Sequence, residues 1–121
     1  TGAEADALAA FVDWHPMVDL PDVEDTDAVE RGKELFFRAD VGCGGCHSGG
    51  DYTDGREYEM FGLEAVNTPR LVGIAATAPY LHDGSVADLT ELVGMLDGEM
   101  GDTSMLGDDE KADLVAFLQS L

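Results

Sequence analysis

Apolar positions at helical spacing mark four stretches of this 121-residue chain. Residues 4–12, "EADALAAFV", predict a short amphipathic helix. A second helix is expected over 28–38, "AVERGKELFFR", with Asp27 as N-cap and Glu30 at the third helical position. A third fits 89–97, where Asp88 and Glu91 form a capping pair and Leu89, Leu92, Val93 and Leu96 share one face. The last covers 109–120, with Leu114, Phe117, Leu118 and Leu121 at helical spacing. Between these, "DWHPMVDLPDVEDTD" has two prolines and six acidic residues and reads as a linker. Residues 40–58 read as a loop. Residues 67–85, punctuated by Pro69, Gly73, Pro79 and Gly84, suit an irregular segment with at most short helices. No segment shows strand-like alternation of useful length, so the expected class is all-α.

"LAAFV" at 8–12 echoes "LVAFL" at 114–118. The echo suggests that residues 1–20 are an N-terminal helix and linker, the tail of a preceding similar domain, and that 21–121 form the principal domain. Any amphipathic helix can produce such a match. The chain has no basic start followed by an apolar core, which fits a cytosolic protein, a processed mature protein or a piece of a longer one.

Composition narrows the partners. The chain is 45% apolar, ordinary for a folded domain. Twenty-six acidic residues against six basic ones give a net charge of −20. Nucleic acid and anionic membrane would be repelled, whereas a basic protein face, dissolved cations or a salt-rich setting are compatible. No apolar run approaches the ~18 residues that span a bilayer, so membrane insertion is not expected.

The chemistry concentrates in "VGCGGCHSGG", residues 41–50, which holds both cysteines. A redox dithiol should follow a strand and open a helix, and the pattern supplies no sheet. A structural zinc site needs four ligands, and the remaining histidines, His15 and His82, are far apart in sequence. A plain disulfide does not call for an adjacent histidine. Covalent haem uses all three residues: the Cys43 and Cys46 thiols add to the two vinyl groups and His47 ligates iron. Gly44 and Gly45 between the thiols would crowd the ring little.

The "RGKELFF" helix before Cys43 and the amphipathic helix that closes the chain make it similar to class I cytochrome c. In that fold the first helix crosses the last closely, with a small residue on one and an aromatic on the other. Gly32 and Phe117 occupy the corresponding places. A narrower likeness lies in Thr68-Pro69 and in "APYLHDGSVADLTELV" at 78–93. Over roughly 28–121 the chain resembles the C-terminal haem domain of the di-haem cytochrome c peroxidase family. Two departures stand out. Val72 replaces the family's arginine, with Arg70 two residues earlier, and this chain has one haem-attachment motif where a peroxidase needs two.

The sixth iron ligand is the open position. Where the peroxidase branch carries its ligand this chain has Leu96, which cannot ligate. Met100, in the glycine-flanked "DGEMGDTS", is the favoured ligand, because class I cytochromes present methionine from such a loop. Met105 is expected to cap the core and Met95 to pack beside Leu92 and Leu96, with Met60 a further alternative. The resemblance places His82 near the haem edge, although a histidine in such a turn often bonds only backbone carbonyls. Tyr80 is the first choice as propionate donor among Trp14, Tyr52, Tyr58 and Tyr80, and Arg70 is a candidate propionate contact. His15 reads as a surface or linker residue. "DYTDGREYE", 51–59, lacks EF-hand spacing and reads as a solvated acidic loop.

The expectation is therefore an all-α, class I cytochrome c domain with one covalent haem c, held by Cys43, Cys46, His47 and Met100. It would relay single electrons in the periplasm or outside the cell. Its partner would be a redox protein with a basic docking face, or another haem domain of the same chain. The alternative is a haem domain of a larger di-haem peroxidase-type enzyme. A gas-binding sensor would require an open sixth position.

Overall fold

A computed structural model describes residues 1–14 and 20–121, and His15 lies outside the described residues. The element order is α1 (Gly2–Trp14), α2 (Thr26–Phe37), a 3₁₀ turn at Cys43–Gly45, β1 (Glu57–Met60), β2 (Leu63–Asn67), a 3₁₀ turn at Ile74–Ala76, α3 (Leu89–Met95) and α4 (Asp108–Gln119). The all-α expectation is thus corrected by a small antiparallel hairpin. Its strands escape a periodicity reading because they are short, carry glutamates on the exposed side, and are only half-buried on the other. Their two-residue turn is Phe61-Gly62, not the Asn-Gly or Asp-Gly pair that usually announces a hairpin.

Caps fix the helix starts. The Asp25 carboxylate accepts from the Ala28 N–H at 2.9 Å, so α2 begins two residues before the expected start and Asp25, not Asp27, is its cap. At α3, Asp88 accepts from the Glu91 N–H at 2.8 Å, and Glu91 reaches back to the Ala87 N–H at 2.9 Å. Glu110 accepts from the Gly107 N–H at the start of α4. Helix α1 is alanine-rich and so helical by propensity. None of its residues is buried, so the expected amphipathic face does not enter this core.

The core is built where α2 crosses α4 and α3 packs beside them. Phe36 meets Phe117 edge to face at 5.2 Å, and Tyr52 completes the aromatic cluster at 6.1 and 5.9 Å from them. At the crossing Gly32 lies against the α4 backbone: a Cβ there would stand 2.6 Å from the Asp113 carbonyl carbon and 2.8 Å from Phe117 Cβ.

Arg31 forks onto the Asp113 carboxylate at 2.7 and 2.8 Å beside that glycine. These hydrogen bonds hold the Asp113 carboxyl below the usual carboxylate range. The pair therefore stabilises fully above the ordinary carboxylate pKa and loses its contribution as pH falls through the lowered value. Arg31→Gln is expected to lower resistance to urea at pH 7, and the difference from wild type should fade as acid protonates Asp113. A difference that does not change with pH would assign the effect to packing of the arginine stem.

Candidate haem site

Chain reversal after α2 places the cysteine motif. Val41 and Gly42 N–H both bond to the Arg38 carbonyl, and Gly42 takes a left-handed conformation (φ 83°) that opens the 3₁₀ turn. The His47 N–H bonds back to the Cys43 carbonyl at 3.0 Å, which places both cysteines and the histidine on one compact turn. Both thiols are free. Cys43 is buried, and desolvation pushes its thiol up to about 11, so it stays protonated at neutral pH. Gly44 packs under the Phe37 ring, whereas a Cβ on Gly45 would meet nothing within 4 Å.

His47 is only 6% exposed. Its Nδ1 lies 3.1 Å from the Tyr52 carbonyl oxygen, an acceptor, so Nδ1 carries a proton. Burial pushes the imidazole below its ordinary pKa, against the opposing pull of the Tyr52 and Pro69 carbonyls. A neutral ring with its second nitrogen already engaged is the form that ligates a metal.

A small, mostly apolar cleft is lined by Phe61, Leu81, Leu92, Leu96, Met95 and Met100, together with Asp97 and Glu99. The Met100 loop leans on the cysteine turn. The Asp102 N–H donates to the Val41 carbonyl at 2.9 Å, and a Cβ on Gly101 would stand 3.1 Å from Cys43 Sγ. Met100 is half-buried against the core, whereas Met95 is 47% and Met105 54% exposed. The expectation that Met105 caps the core is corrected. Met105 precedes α4 on the solvent side, while the core contact falls to its neighbour Leu106. Met95, in the last turn of α3, borders the cleft from its exposed rim. Met60 sits half-buried in β1.

The remaining candidates are scattered. Tyr80 is buried, and its hydroxyl donates to the Ile74 carbonyl at 2.9 Å, while its backbone bridges to Val86. His82 is exposed in the turn that follows, beside Asp83. Arg70 is exposed and 4.0 Å from Asp51, a pairing worth little in water. Trp14 is 76% exposed at the end of α1. The Tyr58 hydroxyl donates to Asp54 at 2.6 Å and lies against Cys46; the phenol is pushed up to about 12, chiefly by Asp54. Asp54 also accepts from the Arg56 N–H, so residues 51–56 form an internally bonded acidic loop, while 57–59, expected to continue it, belong to β1.

Two free thiols, a neutral buried imidazole and an apolar cleft holding a thioether fit a haem c. Comparisons agree with that geometry. Residues 65–97, from β2 through the "APYLHDGS" turn to the end of α3, match the family model described as RoxA-like, cytochrome c-like. The chain is a cytochrome c-like domain. It is similar to a solved MauG-like protein associated with microbial copper homeostasis (25% identity, TM-score 0.65), covering 79% of this chain and 47% of that one. It also shares its fold with hydrazine synthase of Kuenenia stuttgartiensis (21% identity, TM-score 0.69), covering 96% of this chain and 54% of that one. The cytochrome c-like domain thus spans about half the length of either. No curated protein matches the chain by sequence.

Within this cytochrome c-like domain, which as such binds haem, backbone strain marks the site. Among the described residues three non-glycines have positive φ: Tyr52 (53°), Phe61 (54°) and Leu81 (66°). Each left-handed residue costs of the order of 1–3 kcal/mol. Tyr52 supplies the carbonyl that orients His47, and Phe61 and Leu81 line the cleft beside Met100. Reading side chains alone misses Phe61 and Leu81 and gives Tyr52 a different role, because the chemistry rests on their backbone. Leu81 was still legible indirectly, as part of "APYLHDGS".

Proposed function

We propose that the domain carries one covalently bound haem c, tethered by Cys43 and Cys46 and ligated by His47 and Met100, and that it transfers single electrons. The observation that carries this reading is the packing of the loop next to Met100 on the Cys43 turn, through Gly101 and Asp102, with Met100 itself half-buried against the core. When bound, the haem supplies a ferric/ferrous couple, and His/Met ligation raises its potential. The Tyr52 carbonyl keeps the His47 proton on Nδ1. Leu81, Leu92 and Leu96 line the cleft and would keep water from it, and Met100 would offer its thioether to the iron in competition with other ligands. The strongly acidic surface suits a positively charged redox partner held by weak, salt-sensitive contacts. Attachment chemistry requires assembly outside the bacterial cytoplasm, so the place of action is periplasmic or extracellular. Among the described residues no helix is long and apolar enough to cross a membrane.

Produced with a cytochrome c assembly system, the domain is expected to gain the mass of one haem that survives denaturation, and Cys43→Ser/Cys46→Ser to lose it. Haem extractable into acidified organic solvent from the unsubstituted protein would defeat the covalent reading.

A second reading is favoured by the coverage of 47% and 54% of the solved chains. There the domain serves as one haem module of a larger di-haem peroxidase-type enzyme, with residues 1–20 joining it to a neighbour. It predicts a further Cys-x-x-Cys-His motif in the same polypeptide, and peroxide turnover that needs both haems.

A further inference from the structure

Beyond lining the cleft, the β1–β2 turn touches the Met100 loop. In a two-residue turn closing on the Met60–Leu63 pair, the N–H of the first turn residue has no partner in the ladder. Here that N–H, on Phe61, donates to the Glu99 carboxylate at 3.2 Å. The position calls for Asn, Asp or Gly, because its φ is positive, and phenylalanine is strained there. The Phe61 ring accounts for the choice, since it forms the cleft wall with Leu92, Leu96 and Met100.

The loop itself is strung between anchors. Its inner end is fixed by Asp102 N–H to the Val41 carbonyl and by Thr103 N–H to the Leu96 carbonyl, at 2.9 and 3.0 Å. Gly98 N–H to the Gly101 carbonyl at 2.9 Å closes it on itself. Three carboxylates, Asp97, Glu99 and Asp102, crowd this short hairpin, Asp97 and Asp102 bridge-paired, and Asp40 faces Asp102. The Glu99–Phe61 bond turns one of those charges into an attachment at the outer end.

We propose that the β1–β2 turn is a latch on the Met100 loop, in which Phe61 and Glu99 are positioning residues that set how often Met100 leaves the iron. This rests on Met100 ligation as read above. Glu99→Ala removes the carboxylate, Glu99→Gln keeps an acceptor, and Phe61→Gly relieves the backbone and keeps the N–H but removes the ring. In the haem-loaded domain, Glu99→Ala should speed amide exchange at Gly98 and Thr103 about fivefold to tenfold. Ferric imidazole binding should tighten by the same factor, with the urea midpoint unchanged. Glu99→Gln should recover most of both. Phe61→Gly should tighten imidazole binding while exchange stays close to wild type. Unchanged exchange and unchanged imidazole affinity in Glu99→Ala would overturn the latch. Faster exchange in a protein that shows no sulfur-to-iron charge-transfer band before substitution would instead overturn Met100 ligation, and with it the latch's effect on iron.

Discussion

Gly32→Ala is expected to destabilise the domain by about 3 kcal/mol, against the ordinary direction of a glycine-to-alanine change within a helix. In an exposed helix interior that substitution stabilises by roughly 0.5–1 kcal/mol, because alanine restricts the unfolded chain and favours helix. At Gly32 a steric term of opposite sign is larger. The added methyl would collide with the Asp113 carbonyl group, which is α4 backbone and cannot rotate away as a side chain can. Relief requires α2 and α4 to separate, which loosens Phe36 against Phe117 and strains the Arg31–Asp113 fork. Gly94, in the last turn of α3, is the internal control. A Cβ there meets nothing within 4 Å, so Gly94→Ala should gain the usual fraction of a kcal/mol. Thermal melts of the two variants should move in opposite directions, Gly32→Ala falling by roughly 10–20 °C. A Gly32→Ala melt that rises with Gly94→Ala would show that the helices do not cross as closely as their backbones indicate.

The same glycine shows how far the sequence carries. Gly32 and Phe117 stood out through the resemblance to class I cytochrome c, and the α2–α4 contact explains the glycine. The helices themselves were legible because their apolar positions repeat every three to four residues along Leu89–Met95 and Asp108–Gln119. Their starts were less so: Asp25 and Asp27 are equally able caps, and only the fold selects Asp25. The Cys43–His47 motif was legible because its three groups lie within five residues. The hairpin was hidden, since Tyr58 and Met60 are only half-buried and their alternation with glutamates runs for four residues. What orients His47 and walls the cleft was hidden for a different reason. The Tyr52 carbonyl and the left-handed Phe61 and Leu81 are backbone features, and no residue type encodes them.

Met100→Ala should have the largest effect on the iron's chemistry, and the placement of the methionines makes the experiment decisive among them. Met95 and Met105 are about half exposed, whereas Met100 is held against the core by a loop bonded to the cysteine turn. Removing its sulfur should abolish the ferric long-wavelength sulfur-to-iron charge-transfer band. It should also lower the reduction potential, since the contribution of thioether ligation disappears. With the competing ligand gone, imidazole no longer has to wait for a minor open state. If that state is about 1% populated in the unsubstituted protein, the apparent affinity rises on the order of 100-fold. Met100→Leu separates sulfur from volume, because leucine keeps the cleft filled but cannot ligate. Both variants should lose the band, and Met95→Ala and Met105→Ala should keep it. Loss of the band in Met95→Ala alone would move the ligand to the last turn of α3, five residues earlier in the chain and on the same cleft. Persistence of the band in every variant would transfer ligation to one of the two methionines left in place, Met17 or Met60.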